Sequence, residues 1–200
     1  MTTLHVPAIV LVLFPLAWLA LLSVLYVVFM KKSKINYSLL VLYISFTAMI
    51  GPFGEILVGT FYELIIGHPL WQYQIMPTHN TYTSLYAPII WGIAGVVLYF
   101  SNELLKVWAE KHKLQKALFF MVETILVEVL LNLTFLVLAG GLIFYYLPGD
   151  LLHVTSFQTL PFYFILGVGT MVSIKRMRKH PGYFSALCIL LMCITVYLTS

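Results

Sequence analysis

The chain is 200 residues long, 62% apolar and only 9% charged, with a mean hydropathy of +0.99, whereas soluble domains run near about 45–50% apolar and about 25% charged. That excludes an ordinary soluble domain, and the long unbroken apolar runs exclude a transmembrane β-barrel, whose strands alternate with a polar lumen. The net charge of +4 comes from eleven basic residues in three short clusters, each beside an apolar run; this is the pattern of topology anchors and not of a nucleic-acid surface.

At about 20 residues per span, the sequence predicts an all-α polytopic integral membrane helix bundle of about six transmembrane helices. It forms one transmembrane domain over residues 1–200 without a soluble domain, and the lipid bilayer is its first partner.

Span one runs from Pro7 to Met30 and ends at Lys31, Lys32 and Lys34. It lacks the basic n-region of a signal peptide and is too long for an h-region, so it is expected to be retained. Span two starts at Tyr37, with a break or kink expected after Ile50 at Gly51-Pro52. Phe53 to Ile66 is then its end, an interfacial helix or a re-entrant piece. On a continuous helix Glu55 lies about 31 Å from Lys34, near the far edge of the hydrocarbon, and is expected to be interfacial. His68 to Ala87 is a polar connection rich in aromatics, the composition of a membrane–water interface.

Span three, Pro88 to Trp108, leads to Lys106, Lys111, Lys113 and Lys116. Span four, Ala117 to Leu147, would be some 46 Å of helix, so it must tilt, bend at Gly140-Gly141 or protrude. A loop from Pro148 to Gln158 carries Asp150 and His153. Span five, Thr159 to Ile174, precedes Lys175, Arg176, Arg178 and Lys179, and span six runs from Tyr183 to Thr199. Alternation places all three basic clusters on one side, which the positive-inside bias makes cytoplasmic, with both termini on the non-cytoplasmic side. No internal repeat is evident.

Glu128 is the sharpest single signal. About 18 Å of helix separates it from Lys116, near the bilayer midplane, where a carboxylate is costly unless partnered. Thr124, Glu128 and Asn132 recur at intervals of four and make one polar stripe that should face the bundle. Glu123 is expected to pair with a basic anchor. The match of Asn132-Leu133-Thr134 to a glycosylation acceptor is accidental inside a span.

Glu55 follows a helix break, a common way of building a polar site in transporters, and Glu63 lies on roughly the same helical face. Glu55 and Glu128 are therefore the candidate acid–base residues. Glu63, His68, Trp71, Tyr73, His79, Trp91 and Asn132 are the candidate ligand-binding residues. Each also has a plainer reading, as headgroup-facing, belt or helix-contact residues. The histidines lack any H-x-x-H or H-E-x-x-H pair, so no metal site and no cofactor is expected. Cys188 and Cys193 fall on different sides of one helix and imply no disulfide. The absence of phosphate-loop, nucleophile-elbow and dinucleotide motifs argues against nucleotide hydrolysis and serine hydrolase chemistry.

Gly54-Glu55-Ile56, Tyr82-Thr83-Ser84 and Ile90-Trp91-Gly92 together resemble the pattern of CmpB-like small membrane proteins, described as type IV ABC-transporter membrane proteins. The resemblance covers Gly51 to Gly95 and carries Glu55 over as a family position. His68, His79 and the turn Pro77-Thr78-His79-Asn80 stand outside that pattern.

Three functions fit these residues. The first is binding or transport of a small polar or amphipathic ligand at the intramembrane carboxylates. The second is a membrane-embedded enzyme acting on a lipid or isoprenoid by carboxylate acid–base catalysis. The third is a non-catalytic accessory subunit of a membrane complex. The expected partners are the bilayer, a hydrophobic or amphipathic small molecule and, with oligomeric state left open, further copies or another subunit.

Overall fold

The computed structural model describes residues 4–29, 34–105 and 112–199. The predicted anchors Lys31, Lys32, Lys106 and Lys111, and the predicted span ends Met30 and Trp108, lie outside the described residues. Six helices long and apolar enough to cross a membrane make up the bundle: α1 (Ala8–Phe29), α2 (Tyr37–Ile66), α3 (Ala87–Leu104), α4 (Lys113–Ala139), α5 (Leu160–Met177) and α6 (Pro181–Thr199). The protein is an integral multi-pass membrane protein with an all-α architecture. Short strands β1 (Trp71–Tyr73), β2 (Pro77–Thr78), β3 (Thr83–Ser84) and β4 (Phe144–Tyr146) lie in the two long connections, after α2 and after α4.

Two predicted boundaries change. The helix α2 is continuous for 30 residues with Pro52 inside it; proline removes one backbone hydrogen bond, and neighbouring helices can hold such a segment in register. The predicted fourth span stops at Ala139, because Gly140 adopts a left-handed φ of 72° and its N–H bonds the Leu136 carbonyl. The chain then turns back as β4 and does not extend the helix, which removes the length mismatch. Asn36 starts α2 by accepting from the Leu39 N–H at 3.1 Å, a side-chain N-cap.

The structure also reveals an internal repeat that pattern reading missed. Moving along the chain by the interval from Glu55 to Glu128 carries α2 onto α4 and Gly67 onto Gly140, both left-handed helix stops. It also carries Leu70 onto Ile143, both fully buried, and β1 onto β4. One residue is lost in the second connection, after which α3 maps onto α5. Gly95 packs on Thr47, where an added Cβ would lie 2.3 Å from the hydroxyl, and its counterpart Gly167 packs on Phe120, the counterpart of Thr47, at 2.5 Å. Small residues that let helices approach closely are the usual device where lipid supplies no hydrophobic drive.

The repeats meet at β1 and β4, which pair antiparallel as Trp71↔Tyr146, Gln72↔Tyr145 and Tyr73↔Phe144. The central residues Gln72 and Tyr145 are counterparts and pair with each other, and the pairs Trp71↔Tyr146 and Tyr73↔Phe144 exchange across an approximate two-fold axis. The flanking bonds obey the same rule: the Gln74 N–H donates to the Ile143 carbonyl at 2.8 Å and the Leu147 N–H to the Leu70 carbonyl at 3.0 Å. Outside the repeats, α1 packs against α3 and α4, and α6 lies along α2. There Leu42, Tyr43, Phe46 and Cys188 share a core with Leu98 and Tyr99.

Candidate functional site: two carboxyls at one cavity

Each repeat builds one carboxyl cage. Glu55 on α2 accepts from the Tyr73 hydroxyl at 2.5 Å, the Thr83 hydroxyl at 2.6 Å and the Trp91 indole N–H at 2.8 Å. Glu128 on α4 accepts from the Tyr146 hydroxyl, from the Thr155 hydroxyl at 2.5 Å and from the Tyr163 hydroxyl at 2.8 Å. The sequence separations are 18, 28 and 36 in the first cage and 18, 27 and 35 in the second. In both, a helix supplies the acid, the returning strand a tyrosine, the end of the connection a threonine, and the first turn of the next helix an aromatic donor.

Both acids are buried, Glu55 at 9% and Glu128 at 8% exposure. Glu55 is enclosed because the connection after α2 folds back over it and delivers Tyr73 and Thr83. A carboxyl group out of water is tolerated when hydrogen bonds replace its hydration, and three donors per group do that here. Tyr73 and Tyr146 lie in the connections outside the spans. Burial first, and the facing carboxyl second, push both phenols well above their ordinary pKa. They remain O–H donors across the physiological range.

The connections that deliver these donors are held by different means. In the second repeat Asn132, fully buried, donates to the Phe144 carbonyl and the Val154 carbonyl, each at 2.9 Å, and accepts from the Ile143 N–H at 2.9 Å. In the first repeat its counterpart is Gly59, where the Tyr82 side chain lies so close that an added Cβ would be 2.7 Å from the ring. The Tyr82 carbonyl, counterpart of Val154's, instead accepts from the Trp71 indole at 2.8 Å. Left-handed residues recur at matching turns, His79 and Asn80 in one and Leu152 and His153 in the other. Such backbone costs of order 1 kcal/mol or more per residue and persists only where surroundings enforce it.

Both cages face one cavity of about 460 Å³ between α2, α3, α4 and α5. Of the predicted residues, Glu55, Glu128, Trp71, Tyr73 and Trp91 line it. Asn132 stands behind it and fixes the second connection. Glu63 lies outside and accepts from the Tyr82 hydroxyl. His68 is exposed and bonds the Pro69 carbonyl through Nδ1 at 3.0 Å, while His79 sits beside the Tyr82 ring. Glu123 accepts from the Ser101 hydroxyl of α3 at 3.1 Å; of the basic anchors with which it was expected to pair, Lys106 and Lys111 lie outside the described residues. Among the described residues no three His, Cys, Asp or Glu side chains converge as a metal centre would need.

Sequence reading missed Thr83, Tyr146, Thr155 and Tyr163 as site residues. The signal that reaches them is the repeat itself: a second acid, followed after 18 residues by a second tyrosine.

Among the described residues the cavity opens between α2 and α5: Phe53, Leu57 and Phe61 of α2 and Ile165 of α5 line it while remaining half or more exposed, on a face that lipid would cover. On the equivalent side, between α3 and α4, α1 fills the gap. The Phe14 ring, fully buried, meets Phe135 edge-on at 5.3 Å and Tyr86 at 6.4 Å, and the Tyr86 hydroxyl donates to the Leu11 carbonyl at 2.7 Å. Ile93, the counterpart of Ile165, is 3% exposed against 67%. The counterparts of Phe135 and Tyr86 are Tyr62 and Gln158, which bond each other across the open side.

No family model, curated protein or solved structure matches this chain. Its function is therefore argued from its own geometry.

Proposed function

We propose that the protein binds a small amphipathic molecule inside the bilayer, as a carrier or receptor, with Glu55 and Glu128 as its two polar anchors. The observation that carries this reading is the pair of equivalent carboxyls, each held by three donors, on the wall of a single lipid-facing cavity. Buried acids within a membrane are expensive, and their usual justification is a site. The resemblance of Gly51 to Gly95 to CmpB-like transport proteins, with Glu55 as the shared acid, is in keeping with it. In this reading the basic clusters lie in the cytoplasm and both termini on the other face.

Purified protein in lipid nanodiscs, heated with a panel of short-chain cationic, neutral and anionic amphiphiles, tests the proposal. A saturable rise in Tm with at least one class is expected, lost in Glu55→Gln and in Glu128→Gln. Equal shifts in the wild type and both variants would retire it.

A second reading is favoured by the same two acids sharing a cavity with Trp91, Tyr73 and Tyr163. One carboxyl would protonate a carbon–carbon double bond of a lipid or isoprenoid. The other would take a proton from the adjacent carbon, whose C–H electrons form the new double bond, so the substrate is isomerised without a co-reactant. Aromatic faces would stabilise the intervening cation. Incubation of an unsaturated lipid with the protein in deuterated water distinguishes the readings, because this chemistry incorporates deuterium at carbon and binding alone does not.

A further inference from the structure

The two repeats answer a question that a single site would leave open: by which route a molecule reaches the carboxyls, and what shape it has. Two equivalent lateral clefts follow from the approximate two-fold axis. One is occupied by a continuous apolar structure of the chain itself, the α1 face bearing Phe14, Trp18 and Leu22, all buried. The other carries exposed apolar side chains at its rim and, among the described residues, no helix that fills it as α1 fills the first. The α1 face shows that such a cleft accepts an extended apolar body lying along the bundle. A molecule that enters from the bilayer by the open cleft therefore meets hydrocarbon along its path and the carboxyls at its end.

The charge of the far end restricts the head of that molecule. The lining contains two acids and, among its described residues, no Lys, Arg or His. An anionic head, whether a fatty-acid carboxylate or a phosphate, would meet two carboxyl groups with no cation to pair it, a like-charge arrangement that costs affinity. A compact ammonium has three donors and no acceptor. It suits acids whose other neighbours are donors, and the Trp91 and Tyr73 rings can add cation–π attraction.

From these observations we infer that the open cleft between α2 and α5 is the access route and chain-binding groove for a single-chain lipid amine. Its ammonium group lies between Glu55 and Glu128, and its hydrocarbon runs outward past Leu57, Phe61 and Ile165. This rests on the binding role proposed above and adds the chemical class of the ligand and its path.

The test uses the full chain in phosphatidylcholine nanodiscs with octadecylamine bearing a diazirine at mid-chain, and labelled positions mapped by mass spectrometry. Label is expected on the rim residues of α2 and α5, displaced by unlabelled octadecylamine and at least tenfold less well by octadecanoate or octadecanol. Gly54→Phe fills the groove from a position where an added side chain meets nothing within 4 Å, so the fold should keep its Tm while rim labelling falls at least fivefold. Displacement by octadecanoate as good as by the amine would overturn the head class. Label spread equally over the α3–α4 side, or unchanged labelling in a folded Gly54→Phe, would overturn the route. A short amphiphile that stabilises the wild type through both carboxyls, with Gly54→Phe indifferent, would keep the binding role and defeat this inference alone.

Discussion

The first and second repeats hold the same acid in the same kind of cage, yet they are finished differently. In the first, Trp71 and Trp91 supply indole donors and Gly51 and Gly59 make room for aromatic rings. In the second, Tyr163 replaces Trp91 at the cage and Asn132 ties the connection down. Outside the cages the asymmetry is larger still, because α1 covers one lateral cleft and leaves the other open. What is retained between the halves is the carboxyl and its three donors; what differs is packing and access. That division separates the parts of the molecule that serve the site from those that merely complete the fold.

The comparison breaks most visibly at α1. Phe14→Ala removes the ring wedged between Phe135 and Tyr86 and should cost about 3–5 kcal/mol, the range for a buried phenylalanine. It should also create a second lateral opening, which a spin label at Ile93 would report as new access to lipid-soluble relaxants. Unchanged access would show that the two clefts are not equivalent.

The means of fixing the two connections can be compared next. Asn132→Leu strands two carbonyls and an N–H in a dry site and should cost roughly 3 kcal/mol, at about 1–3 kcal/mol for each unsatisfied buried group with partial relaxation. Trp71→Phe loses a single bond and should cost about 1–2 kcal/mol by the same reasoning. Unfolding in mixed detergent measures both, and equal losses would contradict the unequal bonding.

Gly51 and its counterpart Thr124 give a third contrast. An added Cβ at Gly51 would sit 2.0 Å from the Trp91 ring, so Gly51→Ala must displace that ring and the indole bond to Glu55. A cost of about 1–3 kcal/mol is expected from overpacking, with a change in tryptophan fluorescence. Thr124 Oγ1 only bonds back to the Phe120 carbonyl at 2.8 Å, and Thr124→Ala should change stability by under about 1 kcal/mol.

The smallest effects sharpen the likeness of the cages. Tyr73→Phe and Tyr146→Phe should each cost about 1–2 kcal/mol, and by nearly equal amounts. Both phenols have a folded pKa raised above the unfolded value, so their contribution is complete below about pH 10 and is lost as pH rises beyond it. Ionisation of the phenols therefore adds no pH dependence to either penalty below about pH 10, and the penalty should shrink in alkali. A penalty unchanged in alkali would show that folding does not hold the phenols protonated.

Much of this protein was legible in its residues. Apolar runs of about 20 residues can only be spans, because the bilayer demands internal backbone pairing over a set thickness, and all six appear. Glu128 was identifiable because counting residues from Lys116 set it far inside its predicted span, and Thr124, Glu128 and Asn132 do share the inward face. Glu55 was found, but its enclosure was not, since distance along a helix says nothing of a later segment folding back over it.

The repeat escaped because its markers are sparse: an acid, a glycine stop, a tyrosine and a threonine at matching intervals within helices whose other positions answer only to lipid. Tyr146 and Tyr163 looked like two aromatics among many until Glu128 lay between them. Sequence alone determined the membrane class, the number of spans and the two acids, because hydropathy and charge act locally along the chain. Only tertiary structure decided that the acids face one cavity, that six donors converge on them and that the cavity opens between α2 and α5 while α1 fills the equivalent side. Those outcomes depend on which distant segments pair across β1 and β4 and on where α1 comes to rest.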